Sequence, residues 1–395
     1  MITPPVTDRA TALGGDDLPA YVHDLTALAD HARAVREALP PAVELYYAAK
    51  ANPAPRVLTA LAPYVTGYEV ASGGELEHVR DAVPGRPLAF GGPGKTATEL
   101  RRALKLGVER FHVESEHELR LLAATAAAGG HTADVLLRVN LPVDDGELGG
   151  AALAMGGRPS PFGLDPDRLE DCLGHFGTGG PLRLRGIHAH LASGLDAPAQ
   201  VALAGRITDW ARELSDRHGL ALTEVDVGGG MAVDYTRPEA RFDWTVYGEG
   251  LAAVADRNPG LTLRIEPGRA LTVYCGWYVT EVLDLKHSGG EAFAVLRGGT
   301  HHLRTPATKA HDQPFRVLPE DRWDHPWSRP AMTGERVTLV GQLCTPKDVL
   351  ARRVPVDRLR VGDRVAFALA GAYAWNISHH DFLMHPKPGF HYLGG

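Results

Sequence analysis

Between about residues 40 and 270, short runs of β-branched and aromatic residues alternate with longer stretches whose apolar positions recur at helical spacing. This is the pattern of repeated strand–helix units on a parallel sheet. Eight runs stand out: Leu45–Ala49, Tyr68–Val70, Leu88–Phe90, Phe111–Val113, Val135–Val139, Ile187–Ala189, Val225–Val227 and Leu263–Ile265. Helix signals fill the intervals. Thr96 opens TATELRRALKLG, which closes on a glycine, and Ser115 opens SEHELRLLAATAAAGG with a glutamate three residues on, a capping box. Eight such units predict an α/β fold, a (β/α)8 TIM barrel over residues 28–270.

After Gly268 the period shortens to two. YCGWYVTEVLDLK, FAVLRGG, ERVTLVGQL and DRLRVGDRVAFALAG alternate between Gly, Pro and Asp turns. They predict a C-terminal antiparallel β-sandwich or barrel over residues 271–395, to which residues 1–27 contribute. RLRVGDRVAF reads as a hairpin turning at Gly362-Asp363. Asp144–Ser160 (DDGELGGAALAMGGRPS) is glycine-rich and aperiodic, which predicts a mobile loop beside the active face.

Composition narrows the function classes. The 395 residues are 44% apolar and 23% charged, the balance of a folded globular chain. With 48 acidic and 41 basic residues the net charge is −7, so no basic field gathers nucleic acid or anionic lipid, and neither is an expected partner. Cys172, Cys275 and Cys344 are odd in number and far apart, which excludes a disulfide framework and a zinc knuckle. The chain has no basic, apolar leader and no run of 18 apolar residues, so a reducing cytoplasm is expected.

A TIM barrel places its chemistry at the C-terminal ends of its strands. There the first run meets Lys50 and the second is flanked by Glu69. The fifth contains Arg138, the sixth ends at His190, the seventh meets Gly228, Gly229 and Gly230, and the eighth meets Glu266, Gly268 and Arg269. Lys50 is one of only seven lysines. In an apolar strand desolvation would lower its pKa and suit it to attack an aldehyde, a Schiff-base role; on position alone it reads equally as a lysine whose head reaches solvent. The triple glycine bares backbone N–H groups for an anion, Gly268-Arg269 adds close approach and a fixed charge, and together they suggest a phosphate site. A carboxylate such as Glu266 beside a pyridine nitrogen would keep that nitrogen protonated and the ring a strong electron sink.

In this order, YYAAKAN, YEVASGGEL, LRVN, FGL, GIHAHLASG, DVGGG, IEPGR, GQLCTPKD and GAYAWN resemble the fold-type III pyridoxal-phosphate decarboxylases, which include ornithine, arginine and diaminopimelate decarboxylases. The resemblance covers nearly the whole chain and implies an alanine racemase-like barrel with pyridoxal 5'-phosphate as cofactor. It makes Lys50 the Schiff-base lysine, His190 the imidazole stacked on the ring and Glu266 the partner of the ring nitrogen. Ser193, Gly228, Gly229, Gly230, Gly268, Arg269 and Tyr373 would hold the phosphate. Arg138 would lie near the ring hydroxyl, and Glu69 would stand one layer behind. Cys344, reaching the site from a partner subunit, would protonate Cα after carbon dioxide leaves, which implies a homodimer with shared active sites.

One departure bears on substrate. Relatives acting on substrates with a distal cation carry Asp or Glu after this cysteine, whereas this chain has Thr345. A neutral or anionic far end is therefore expected, with Arg304, His301, His302, His379 and His380 as candidates to meet carboxylates. CTPKDVL and GAYAWNISHHDFLMHPKP are similar to the branch acting in siderophore biosynthesis, of the staphyloferrin B decarboxylase type, which acts on a citryl-diaminopropionate conjugate. The alternatives within the fold are a diaminopimelate or basic amino acid decarboxylase and an amino acid racemase; a racemase sets arginine, not a carboxylate, against the ring nitrogen. Outside it stand three readings. AFGGPGKT fits a relaxed phosphate loop that would make Lys95 essential to an ATPase. His188 and His190 could begin a metal-dependent hydrolase site, although both are not expected to face the barrel, and no metal is expected. A catalytically silent cofactor-binding protein is the third.

Overall fold

The computed structural model describes residues 2–143 and 153–394. In chain order its strands are β1 (Ala20–Asp24), β2 (Val43–Ala48), β3 (Gly67–Val70), β4 (Leu88–Phe90), β5 (Arg110–Val113), β6 (Ala133–Arg138), β7 (Leu153–Ala154), β8 (Leu182–His188), β9 (Ala192–Ser193), β10 (Glu224–Asp226), β11 (Thr262–Ile265), β12 (Gly276–Ser288), β13 (Glu291–Leu296), β14 (Phe315–Leu318), β15 (Ala331–Val340), β16 (Val349–Arg360), β17 (Arg364–Phe367) and β18 (Gly389–Leu393). Two compact units emerge: residues 29–232 with 242–271, and residues 1–28 with 233–241 and 272–395.

The first unit is the barrel. β2, β3, β4, β5, β6, β8, β10 and β11 close on themselves in that order, every pair parallel. Helices cover parallel strands on the outside, so both faces are buried and the strands read as short, nearly continuous apolar runs. Polar helix starts punctuate them. The Thr96 side chain accepts from the Glu99 amide while the Glu99 carboxylate accepts from the Thr96 amide, a complete capping box. At Ser115 only half of the expected box forms. Its hydroxyl accepts from the Glu118 amide, but the Glu118 carboxylate turns to Lys95 and the Glu114 amide, because a buried ammonium outcompetes a helix-end N–H for it.

Charge fills the N-terminal end of the barrel. Arg264, 2% exposed, donates to Glu44 at 2.6 Å and lies 3.3 Å from Glu224; Glu224 also accepts from Arg110 Nε at 2.6 Å. The Tyr46 ring lies under the Arg264 guanidinium, 4.3 Å from centroid to carbon.

The second unit is one eight-stranded sheet, ordered β14-β17-β12-β13-β15-β16, with β1 on the first half of β12 and β18 beyond it. It is mostly antiparallel, but β13–β15 and β1–β18 pair in parallel. The expected hairpin at Gly362-Asp363 does not form. β16 pairs with β15, whereas β17 lies between β12 and β14. Asp363 explains the corner: its carboxylate accepts from the Arg360 amide and side chain, the Glu320 amide and Arg329, pinning the chain where it changes neighbour. Tyr278, Leu296, Leu303, Leu339, Leu350, Leu359 and Phe367 build the sheet's core.

Part of the expected loop Asp144–Ser160, residues 144–152, lies outside the described residues. From Leu153 the segment is ordered: β7 pairs antiparallel with β9, and the amides of Met155 and Gly156 both donate to the Leu191 carbonyl. Among the described residues no helix is long and apolar enough to cross a membrane.

Candidate active site

Residues at alternate positions of a strand share a face, so a barrel interior fills in layers. In this chain the layers are polar. Arg110, Glu224 and Arg264 form the floor already described. Two residues on along the same strands come His112, Asp226 and Glu266, joined by His188; two further on come Glu114, Gly228 and Gly268, joined by His190.

The upper layer forms the mouth. Lys50 sits on the short turn Ala49–Ala51 just past β2, and its Nζ pairs with the buried Glu69 carboxylate from β3. The lysine side chain is 45% exposed. The expectation of a desolvated amine is thus corrected, because the strand ends at Ala48, two residues before Lys50, and leaves it in the open mouth. The Glu69 carboxyl is raised by burial, an effect only partly offset by the Lys50 ammonium. His190 accepts a hydrogen bond at Nδ1 from the Gly229 amide at 3.1 Å, and burial, with the nearby Lys50 and Arg138 charges, lowers its pKa to about 3. It is a neutral, flat ring at working pH. His188 and His190 both face the interior, contrary to expectation, since positions two apart on a strand point the same way.

The glycines make a close-fitting wall. Gly228 has φ +70°, and a Cβ there would lie 2.6 Å from His190 Nδ1; Gly230 has φ +93°, and its Cβ would strike the Ala192 carbonyl. The Gly194 amide donates to the Gly230 carbonyl at 2.6 Å, setting Ser193 beside the triple glycine. A Cβ on Gly268 would lie 2.9 Å from that of Ala51, which brings Gly268 and Arg269 next to the Lys50 turn. Arg138 Nη1 donates to Glu114 Oε1 at 2.8 Å, and its guanidinium lies 5.1 Å from the Phe162 ring centre.

Beneath the mouth lies a buried quartet. His188 Nε2 is 3.5 Å from Glu266 Oε2, His112 Nδ1 is 3.9 Å from Glu266 Oε1, and His112 Nε2 is 3.7 Å from Asp226 Oδ2. The two imidazoles stack 4.2 Å apart. Burial holds both histidines below their ordinary pKa and pushes the Asp226 carboxyl well up, with the Glu266 charge adding to it. At Glu266 burial also raises the carboxyl, but the two histidines outweigh it and leave it well below the usual range.

His112, Glu114 and Asp226 are not marked by strand ends alone, and His188 is marked only as a possible start of a metal site, although RFHVE, HAH and EVD show them as alternating polar residues in otherwise apolar strands. Lys95 falls to a structural role. Its buried Nζ donates to the carbonyls of Gly92 and His112, both at 2.7 Å, and to Glu118 at 2.6 Å, so no donor remains for a nucleotide phosphate.

The remaining candidates lie in the β unit. Asp348 ties the loop carrying Cys344 and Thr345 to the turn before His301: its carboxylate accepts from the Leu343 amide at 2.9 Å and the Thr300 amide at 2.6 Å. Cys344 is exposed and Thr345 half-buried. Arg304 Nη1 meets His379 Nδ1 at 3.0 Å, and the Thr305 hydroxyl donates to the Tyr373 carbonyl at 2.7 Å. The histidines divide. His301 and His302 are buried, with Tyr278 Oη 3.1 Å from His302 Nδ1, and His380 stacks on Trp375 and bonds its carbonyl at 2.6 Å. Arg304 and His379 are half-buried, and the His379 ring lies 5.7 Å from that of Phe382.

The barrel mouth therefore offers an amine paired with a carboxylate, a neutral imidazole, a bare-backbone wall and a buried carboxylate whose Oε1 has no hydrogen-bond partner among the described residues. These fit a phosphorylated pyridine aldehyde. Residues 25–273 match the family described as pyridoxal-dependent decarboxylase, pyridoxal binding domain. The chain belongs to the pyridoxal-dependent decarboxylases. It is 39% identical, over 94% of its length and 93% of the relative's, to the 2-[(L-alanin-3-ylcarbamoyl)methyl]-2-hydroxybutanedioate decarboxylase of Staphylococcus aureus. It is 32% identical to the L-glutamyl-[BtrI acyl-carrier protein] decarboxylase of Niallia circulans over 94% of this chain and 88% of that one. In fold it is similar to the diaminopimelate decarboxylase of Helicobacter pylori complexed with L-lysine, at a TM-score of 0.84 and 24% identity, covering 98% of this chain and 93% of that one. Like its family it is a carboxy-lyase that uses pyridoxal 5'-phosphate.

Proposed function

We propose that this decarboxylase removes the α-carboxylate of a citryl-diamino acid conjugate in siderophore assembly. One observation carries the reading. The loop after Cys344 offers Thr345 in place of a carboxylate, while the same unit supplies Arg304 paired with His379, donors suited to carboxylates. The 39% identical relative, whose name gives it a tricarboxylic substrate of this kind, supports it.

Bound pyridoxal phosphate supplies an aldehyde for the substrate amine and a ring that accepts the electron pair left when the Cα–carboxylate bond breaks. Lys50 would hold the aldehyde, and Glu69, whose carboxylate pairs with the Lys50 Nζ, would take up its proton. Neutral His190 would offer the ring a flat face without adding charge. Glu266 would keep the ring nitrogen protonated, and Arg138, held by Glu114, would serve the ring hydroxyl. The N–H groups of Gly228, Gly229, Gly230 and Gly268 would hold the phosphate with Ser193, Arg269 and Tyr373. Cys344, contributed by the second copy of a homodimer, would supply the proton for Cα. The three free cysteines accord with a reducing cytoplasm.

The test is carbon dioxide release from the purified, pyridoxal phosphate-loaded chain offered citryl-diaminopropionate, diaminopimelate, ornithine and lysine. The reading expects kcat/KM for the citryl conjugate to exceed the others by about 100-fold or more. Preference for diaminopimelate or a basic amino acid refutes it.

A further inference from the structure

Four titratable side chains, His112, His188, Asp226 and Glu266, meet inside the barrel, all nearly sealed from solvent. Only Glu266 has a part in the reaction so far. Both ring nitrogens of His112 and of His188, Asp226 Oδ2 and Glu266 Oε1 lack a hydrogen-bond partner among the described residues. Buried polar atoms of this kind require an explanation.

The geometry links them around Glu266, whose carboxylate also interacts directly with that of Asp226. The Gly228 amide donates to Asp226 Oδ1 at 2.9 Å, leaving Oδ2 to face His112 Nε2 at 3.7 Å. The far side of that imidazole, Nδ1, faces Glu266 Oε1 at 3.9 Å, and His188 Nε2 faces the other Glu266 oxygen at 3.5 Å. One atom from each of the four lies within 4.8 Å of the others, but a divalent cation would draw a single His112 nitrogen to one point, whereas here the two nitrogens point toward two different carboxylates. The separations exceed a hydrogen bond by about 0.5–1 Å, the looseness common in active sites before substrate or cofactor is seated.

We infer that Asp226, His112 and His188 are positioning residues that hold the Glu266 carboxylate ionised and aimed at the ring nitrogen of the cofactor. The proton assignment follows from the contacts. Asp226 is the neutral acid and donates to His112 Nε2; His112 Nδ1–H donates to Glu266 Oε1; His188 Nε2–H donates to Glu266 Oε2. One negative charge remains in the quartet, on Glu266. The directions in which burial and neighbours move the four groups agree with this arrangement. The inference rests on Glu266 as the ring-nitrogen partner, and the experiment separates the two claims.

Equilibrium affinities for pyridoxal phosphate and for its deaza analogue, in which carbon replaces the ring nitrogen, are measured on the wild-type chain and on Asp226→Asn, His112→Gln and His188→Gln. The wild type is expected to prefer pyridoxal phosphate. Each variant is expected to lose about tenfold or more of that preference, while affinity for the analogue, which has no ring nitrogen to address, stays within a few-fold. A role confined to stability would lower both affinities together and leave the ratio unchanged, which overturns the inference and spares the Glu266 reading. Equal wild-type affinities overturn the Glu266 reading itself. Should a variant fail to fold, infrared difference spectra of the wild type decide: binding pyridoxal phosphate is expected to shift the carbonyl band of one un-ionised carboxyl. Absence of that band, or a stoichiometric metal ion in the purified chain, overturns the inference.

Discussion

Glu224→Gln tests whether the charged floor of the barrel stabilises the fold that carries the site. Glu224, 7% exposed, is the carboxylate that touches both floor arginines, accepting from Arg110 Nε at 2.6 Å and standing 3.3 Å from Arg264. Neutralising it leaves two buried guanidiniums facing each other. Removing one partner of a buried ionic cluster costs about 3–5 kcal/mol. The lower end applies here, because Arg264 keeps Glu44 at 2.6 Å and Arg110 keeps Asp134 at 3.3 Å. About 3 kcal/mol lowers the melting temperature of a domain of this size by about 6–12 °C, read by calorimetry of the barrel transition. The pH dependence supplies a second check. Burial raises the Glu224 carboxyl, but the hydrogen bonds from Arg110 and the charge of Arg264 outweigh it, so its pKa is lowered on folding. A depressed folded-state pKa adds stability that is complete above the unfolded value of about 4.3 and fades as pH falls through the folded one. The gap between wild type and variant is therefore flat from about pH 6 to 8 and closes in acid. A gap under about 3 °C at neutral pH, or one that widens in acid, refutes the argument.

Lys50→Ala abolishes the visible absorption of added pyridoxal phosphate and its trapping by borohydride, read by spectrum and by peptide mass; a label on Lys95 or another lysine would move the site. Gly228→Ala sets a methyl 2.6 Å from His190 Nδ1 at φ +70°, costing about 1–2 kcal/mol of backbone strain and, by displacing His190, about tenfold or more in cofactor affinity by titration. Lys95→Met leaves Glu118 buried without its ammonium and lowers stability by about 3–5 kcal/mol in denaturant unfolding, with no effect on nucleotide binding. Thr345→Asp shifts kcat/KM toward diaminopimelate and lysine and away from the citryl conjugate, measured in paired assays.

The barrel strands were legible in the sequence because parallel strands buried on both faces leave compact apolar runs between polar helix starts; Leu88–Phe90 reads so plainly because nothing polar interrupts it. The β unit was legible in its strands but not in their order. At Gly362-Asp363 the local pattern has every mark of a hairpin, yet Asp363 collects Arg360, Arg329 and the Glu320 amide, contacts up to 43 residues away in sequence. Pairing decided at that range leaves no trace in the turn.

The site shows the same division between local and distant. Lys50, His190, the glycines and Glu266 were visible because each interrupts or follows an apolar run, and the strand end is where barrel chemistry sits. His112, Asp226 and His188 share the layer of Glu266 but lie inside their strands, where a polar residue reads as an isolated irregularity. Their spacing was nonetheless informative. In RFHVE, EVDVG and RIEPG the polar or glycine positions fall two apart, and in HAH the two histidines do. A single strand with that pattern is unremarkable as a half-solvated strand, but a barrel has no solvated inner face. Once eight parallel strands close, polar side chains at alternate positions of neighbouring strands have only one another to meet, and the layers of charge beneath the mouth follow from closure.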